Sequence, residues 1–147
     1  MELINERAEQ YAEALSSKED ELLRKVSDFT NSHPEAQMMS GHLQGKVLEM
    51  LSWMIRPRRI LEIGTFTGYS ALCLAKGLAD DGQLHTIELR EETASKAREF
   101  FRESQYFSKI ISHTGPALEI IASINETWDL VFIDADKPGY IDYFNLV

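Results

Sequence analysis

From Arg58 onward, short apolar runs alternate with longer amphipathic stretches, and this alternation constrains the fold more than any other feature. Four apolar runs are predicted strands: 59–63, 84–88, 110–113 and 130–133. Three amphipathic stretches between them are predicted helices: 69–79, 91–104 and 116–124. Because parallel neighbouring strands need crossover connections, the alternation predicts an α/β fold with a doubly wound, Rossmann-like parallel sheet flanked by helices.

The residues before this sheet predict helices. Ser17 followed by Asp20 resembles a capping box, after which one side of the segment is apolar until Pro34 closes it. That apolar side is formed by Leu22, Val26 and Phe29. A second helix is predicted over 41–55. Its apolar stripe is formed by Leu43, Val47, Leu51 and Met54.

Composition sets the number of domains and excludes several partners. A chain of 147 residues with ordinary apolar content predicts one domain, with N-terminal helices at 1–56 and an α/β portion at 57–147. A net charge of −9 without a dense Lys/Arg cluster repels a nucleic-acid backbone. The acidic N-terminus does not resemble a signal peptide, and no apolar stretch approaches membrane-spanning length. Cys73 is the single cysteine and is expected to be a buried thiol. We therefore predict a cytoplasmic protein without a membrane partner.

A tight glycine turn follows the first predicted strand. Gly64 and Gly68 bracket the turn, and the acidic Glu62 precedes it in the strand. The spacing is not the G-x-G-x-x-G fingerprint, in which glycines let a pyrophosphate reach a helix N-terminus. The turn therefore predicts a ligand without phosphates, whose positive ammonium group Glu62 attracts directly or through water.

Acidic or turn-forming residues also end the other predicted strands. Glu88 lies about 20 residues after the glycine turn, where a carboxylate can accept hydrogen bonds from both ribose hydroxyls. Gly115-Pro116 forms either the wall beside an adenine or simply a turn. The run from Asp134 to Lys137 contains two carboxylates and a lysine, which suit a hard divalent cation and a proton acceptor, or else form a surface charge cluster.

Two motifs together resemble a known family. LEIGTFTGYSAL at 61–72 and FIDADKPGY at 132–140 resemble the cation-dependent O-methyltransferases related to caffeoyl-CoA and catechol O-methyltransferases, particularly their small bacterial members, and the likeness includes 38–45. The resemblance implies the Rossmann-like S-adenosylmethionine methyltransferase fold. It also implies a set of cofactor-binding residues: Ser40, Gly41, Glu62, Gly64, Thr65, Ser70, Glu88, Pro116 and Asp134.

The same resemblance implies the chemistry. Asp134 matches the family's metal ligand, for Mg²⁺ first and Ca²⁺ or Mn²⁺ as alternatives, and Lys137 matches its candidate general base. The acceptor is expected to be a small hydroxylated molecule, catechol-like or hydroxycinnamoyl-ester-like, and the N-terminal helices are expected to form a homodimer. This sequence departs from the family at Pro116, where many relatives have Asp or Ala. It also lacks the family's Asp-Asn metal ligands, so we expect a fold incomplete at the C-terminus with an open apolar sheet edge.

Two other readings stay open at this point. A nicotinamide-dependent dehydrogenase would share the sheet and the acidic residue on the ribose, but the glycine spacing disfavours it. A non-catalytic cofactor-binding or dimerisation module would keep the pocket without an acceptor site. Preference for a nicotinamide cofactor would support the first reading, and cofactor binding without methyl transfer would support the second.

Overall fold

A parallel sheet forms the centre of the computed structural model, which describes residues 5–147. Its strands are β1 (Arg59–Ile63), β2 (Gln83–Glu88), β3 (Ile110–Thr114) and β4 (Leu130–Ile133). They lie in the order β3-β2-β1-β4, and all three neighbouring pairs are parallel. The predicted strands are confirmed to within one residue at each end. The strand order reverses between β1 and β4, so ligands are expected at the carboxyl ends of these two strands.

Helices precede the sheet and connect its strands. They are α1 (Glu6–Leu15), α2 (Glu21–Asn31), α3 (His42–Ile55), α4 (Tyr69–Ala75), α5 (Glu91–Glu103), α6 (Ala117–Ser123) and α7 (Tyr140–Leu146). Helix α4 ends four residues before its predicted end at Ala79. The helical hydrogen bonds stop there, because the Ala79 N–H donates to the Pro57 carbonyl at 3.0 Å instead of to Ala75. None of the helices in the described residues is long and apolar enough to cross a membrane.

The start of α2 differs from its prediction. Asp20 caps the helix alone, because its side chain accepts a hydrogen bond from the Leu23 backbone N–H at 2.9 Å. The capping box beginning at Ser17 is therefore wrong. The buried side of α2 also shifts by one residue, since Leu23 is fully buried while Leu22 is only partly so.

The apolar stripe predicted for α3 faces away from the protein. Val47, Leu51 and Met54 are 50%, 39% and 74% exposed. The buried side instead carries Gly45 and Ser52 beside Leu48. Small residues there let α3 approach α4 closely, and the Ser52 hydroxyl donates to the Leu74 carbonyl at 2.6 Å. Apolar periodicity cannot detect a contact made by small residues. The outward set is the α3 apolar face: Val47, Met50, Leu51 and Met54.

Both faces of the sheet are covered by apolar side chains. On one face, Ile60 of β1 and Leu84 of β2 pack with the helices α2 to α5, and Cys73 is buried there as predicted. On the other face, Leu61 and Ile87 pack against α6 and α7. The edge strand β4 is only partly buried at all four of its residues.

Candidate cofactor site

A cavity of about 960 Å³ opens at the carboxyl ends of β1, β2 and β4, where the strand order reverses. Its walls come from the segment before α3, the glycine turn, the end of β2, the start of α6 and the loop after β4. Seven of the residues predicted to bind cofactor line it: Ser40, Gly64, Thr65, Ser70, Glu88, Pro116 and Asp134.

The glycine turn holds the ends of three strands together. Gly64 has a φ of 103° and lies against β4, where a Cβ would collide with the carbonyl oxygen of Asp134. The backbone N–H groups of Gly64 and Thr65 both donate to the Ile87 carbonyl of β2, at 3.0 and 3.2 Å. Phe66 also has a positive φ, of 48°, which is uncommon for a residue with a side chain. The turn therefore needs glycine at position 64 for both its dihedral angle and its packing.

Glu62 is fully buried beneath the cavity wall. The Thr86 hydroxyl lies 2.5 Å from its Oε2, while Oε1 has no hydrogen-bond partner among the described residues. The pKa of Glu62 is raised to about 7, chiefly because burial disfavours its charged form; the Ser70 and Thr86 hydroxyls oppose the rise, and the charges of Asp134 and Glu88 add to it. Glu62 can therefore accept one more hydrogen bond, and its charge changes close to neutral pH.

Glu88 is held in a fixed orientation at the end of β2. The Phe66 N–H donates to its Oε2 at 2.9 Å, and the Arg90 N–H donates to its Oε1 at 3.1 Å. Each carboxylate oxygen keeps a further lone pair, and the residue lines the cavity. The geometry suits recognition of two adjacent hydroxyls.

The two aspartates after β4 have different surroundings. Asp136 accepts from the Tyr143 hydroxyl at 2.6 Å and from the Gly139 N–H at 3.1 Å, one bond to each oxygen. Asp134 lines the cavity, and desolvation by partial burial raises its pKa. Within residues 5–147, no group of three or more His, Cys, Asp or Glu side chains could hold a metal ion. These residues therefore do not form a complete metal centre.

Three predicted site residues lie outside the cavity wall. Gly41 is exposed at the N-terminus of α3, one residue after Ser40. Glu62 lies behind the wall. Lys137 is exposed on the 3₁₀ turn Lys137–Gly139 and is not among the described residues that line the cavity. The structure thus brings seven of the nine residues predicted to bind cofactor to one cavity but does not bring Lys137 to them.

Comparison with known proteins identifies the family. A family model described as O-methyltransferase matches residues 13–147. The chain belongs to the O-methyltransferase family. Among its relatives, the catechol O-methyltransferase of Niastella koreensis is 34% identical over 148 residues, covering 96% of this chain and 66% of that protein. Caffeoyl-CoA O-methyltransferase 1 of Eucalyptus globulus is 32% identical, covering 86% of this chain and 53% of that protein. The resemblance drawn from the two motifs is confirmed.

A solved structure confirms the methyltransferase fold. The O-methyltransferase TomG from Streptomyces achromogenes, in complex with SAM, superimposes with a TM-score of 0.84 at 36% identity. The match covers 95% of this chain and 65% of that one. This member of the O-methyltransferase family therefore spans about half to two thirds of the length of these relatives.

Sequence reasoning missed three residues that shape the site in this O-methyltransferase family member: Thr86, Arg90 and Tyr143. Thr86 pairs with Glu62 in the register of β1 and β2, but aligning the predicted strands 59–63 and 84–88 would have paired Glu62 with Ile87. The contact becomes visible only when the second strand begins at Gln83, one residue before its predicted start. Arg90 and Tyr143 carry no comparable signal in the sequence. Arg90 pairs with Glu35 and Glu88, and Tyr143 donates a hydrogen bond to Asp136.

Proposed function

We propose that this cavity binds S-adenosylmethionine, and that the chain is the donor-binding part of an O-methyltransferase acting on a hydroxyl of a small acceptor. The observation that carries the proposal is a pair of oriented carboxylates, Glu62 and Glu88, at the ends of adjacent strands on either side of a glycine turn. S-adenosylmethionine supplies a methyl group made electrophilic by its sulfonium.

The charge of the cavity supports a cationic ligand. Among the described residues that line it, four are acidic and Arg90 alone is basic. The acidic residues are Glu88, Glu119, Asp134 and Asp136. A sulfonium and an ammonium are attracted by this field, whereas the pyrophosphate of a nicotinamide dinucleotide is repelled. The charge therefore disfavours the dehydrogenase reading, as the glycine spacing does.

The residues predicted to bind the cofactor each have a proposed part in holding the donor. Glu88 would accept hydrogen bonds from the ribose hydroxyls, since its orientation is already fixed by two backbone donors. Gly64 would let the ligand approach the backbone closely, and Glu62 would attract its ammonium group. The remaining proposed contacts are Ser40, Gly41, Thr65, Ser70 and Pro116, the last beside the adenine.

Methyl transfer requires an acceptor oxygen in line with the sulfonium methyl group. Asp134 is the carboxylate best placed to orient that acceptor, because it lines the cavity and its backbone contacts Gly64. We propose Lys137 as the group that takes the proton, which requires its side chain to turn from solvent toward the cavity. The proposed acceptors are catechol-like molecules or hydroxycinnamoyl-type esters, in keeping with the names of the relatives.

Metal assistance is a further proposal. Asp134 would supply one oxygen ligand to a divalent cation, with Mg²⁺ preferred and Ca²⁺ or Mn²⁺ compatible with oxygen ligands. The residues of 5–147 do not complete a coordination sphere, so no step is assigned to the metal.

We also propose a homodimer formed through the α3 apolar face. Its four residues form one exposed patch at helical spacing on the outer side of α3. A second copy of the chain would bury apolar area that is otherwise in contact with water.

A second candidate function is a cofactor-binding or dimerisation module without catalysis. The observation that favours it is the exposed position of Lys137, away from the lined cavity. Donor binding is common to both functions, whereas methyl transfer belongs only to the enzyme.

Calorimetric titration with S-adenosylmethionine, with and without Mg²⁺, tests the proposal. We expect binding that does not depend on the cation, and much weaker binding of nicotinamide dinucleotides. Glu88→Gln should weaken binding, with Glu92→Gln on the exposed side of α5 as the control. No detectable binding would overturn the proposal. If the donor binds, incubation with a catechol then separates the enzyme from the module.

A further inference from the structure

Arg90 contacts two carboxylates that come from different parts of the chain. Its Nη1 lies 2.5 Å from Oε2 of Glu35, and its Nε lies 3.6 Å from Oε1 of Glu88. Its backbone N–H also donates to Glu88. Glu35 belongs to the segment before α3, whereas Glu88 ends β2. The guanidinium therefore joins the end of β2, which lines the cavity, to the segment that leads into the lining residues 38–40.

The segment that carries Glu35 is fastened over the glycine turn. We name residues 33–40 the strap, because it crosses from the end of α2 to the cavity. The His33 ring packs edge-on against Phe66 at a centroid distance of 5.4 Å. Just before the strap, the hydroxyls of Thr30 and Thr67 are hydrogen-bonded at 2.8 Å. The strap then continues into Met39 and Ser40, which line the cavity.

We infer that Arg90 is a positioning residue for the cofactor site, which orients the Glu88 carboxylate and fastens the strap to it through Glu35. This inference rests on the proposed function. Arg90 does not need to touch the cofactor in this role. It acts through Glu88, the proposed ribose ligand, and through the strap, which forms the neighbouring wall.

Charge compensation supports this role. Glu88 has acidic neighbours around the cavity, and its own charge and that of Asp134 both act on the buried Glu62. Arg90 is the single basic side chain among the described lining residues. An arginine suits the position better than a lysine, because its planar fork presents separate N–H groups to two carboxylates.

Solvent exposure sets the expected size of the effect. The Arg90 side chain is 42% exposed, so water and salt screen both ion pairs. We expect Arg90→Gln to weaken S-adenosylmethionine binding by about 3- to 10-fold at low salt, and by less at about 0.5 M salt. Arg90→Lys should recover only part of this loss, because one ammonium cannot serve both carboxylates equally.

Calorimetric titrations at the two salt concentrations test the inference, with adenosine as a second ligand. Adenosine keeps the ribose but lacks the methionine portion, so Arg90→Gln should weaken its binding as well. Glu35→Gln removes only the strap contact and should weaken S-adenosylmethionine binding less than Arg90→Gln does. The matched control is Arg102→Gln, on the exposed last turn of α5.

The possible results separate the inference from the proposed function. If the unaltered chain binds neither ligand, the proposed function fails and the inference fails with it. If the unaltered chain binds but Arg90→Gln behaves like Arg102→Gln, the inference alone is wrong. A loss of affinity that does not change with salt, or that accompanies a lowered thermal midpoint, would also overturn it, because the role would then be structural.

Discussion

Thr86 and Glu62 are joined by a hydrogen bond of 2.5 Å between neighbouring strands β2 and β1. A second short contact of 2.5 Å joins Thr86 to Thr65 in the glycine turn. When Glu62 is ionised, the single Thr86 proton goes to the carboxylate, so Thr65 must donate to Thr86. The proposed donor site thus contains a chain of three side chains whose hydrogen bonds depend on the charge of Glu62.

Binding of S-adenosylmethionine should strengthen as the pH rises from 6 to 8. The pKa of Glu62 is about 7 because of its burial, and only the ionised carboxylate attracts a cationic ligand. We expect affinity to increase by up to about tenfold over this range, and Glu62→Gln to remove most of the increase while weakening binding overall. Titrations of both proteins at the two pH values measure this. Equal pH dependence in the two proteins would assign it to another group.

Glu62 should also make folding stability depend on pH. Its folded-state pKa of about 7 lies above the ordinary glutamate value of 4.5, so the folded state binds a proton more tightly than the unfolded state. The resulting contribution is fully present below about pH 4.5 and is lost as the pH rises through 7. Relative to Glu62→Gln, the unaltered protein should lose about 3 kcal/mol of unfolding free energy between pH 4.5 and 8. Urea denaturation of both proteins at these pH values measures this difference. An equal change in unfolding free energy in the two proteins would contradict the prediction.

The pair of His85 and His113 should make folding stability depend on pH in the opposite direction. Nδ1 of His85 and Nε2 of His113 lie 3.1 Å apart, so the contact requires at least one neutral ring. Burial lowers the pKa of both histidines. The charges of His113 and Arg59 lower the pKa of His85 further, and the charge of Glu126 opposes this lowering. A lowered folded-state pKa contributes stability above about pH 6.5 that is lost as the pH falls.

His113→Gln should therefore reduce the loss of stability on acidification. The comparison is the fall in thermal midpoint between pH 7.5 and 5.5, measured for the variant and for the unaltered protein. Ser108→Gln, on an exposed 3₁₀ turn, controls for the introduction of glutamine. An identical fall in all three proteins would show that the histidine pair does not govern acid stability.

Gly64→Ala should disrupt both folding and the proposed donor site. Alanine at a φ of 103° is strained, and its Cβ would collide with the backbone of Asp134. We expect a loss of at least about 2 to 4 kcal/mol in unfolding free energy. Gly41→Ala is the matched control, since a Cβ there meets nothing within 4 Å. Urea denaturation compares them, and a Gly64→Ala variant as stable as the control would contradict the structure.

The α3 apolar face should determine the association state. We expect the chain to sediment as a dimer, and the double variant Val47→Lys, Met54→Lys to sediment as a monomer with an unchanged thermal midpoint. Both positions are exposed, so the lysines need not disturb the core. Glu92→Lys on α5 controls for added positive charge. A dimer that survives the double substitution would place the interface elsewhere.

The local patterns of the sequence were sufficient for the strands and the glycine turn. Strands β1 to β4 are short apolar runs with clear ends, and alternation of strands and helices restricts them to a parallel arrangement. Because parallel strands end at the same edge of the sheet, Gly64, Glu88, Pro116 and Asp134 were predicted to surround one site, and all four line the cavity. The motifs also identified the family.

Contacts between distant segments were decided only by the tertiary structure. Sequence periodicity identified the apolar stripe of α3 but did not decide which way it faces. Gly45 and Ser52 allow the close approach to α4 and turn Val47 and Met54 outward. Residue spacing could not decide whether Asp136 and Lys137 belong to a site or to a surface charge cluster. The Tyr143 hydroxyl donates to Asp136, and the 3₁₀ turn leaves Lys137 exposed. The bridge from Arg90 to Glu35 joins residues 55 positions apart. The sequence determined which elements form, through local patterns of apolar and turn residues. The tertiary structure decided which side chains meet, because steric fit and charge pairing act between segments that are far apart in the chain.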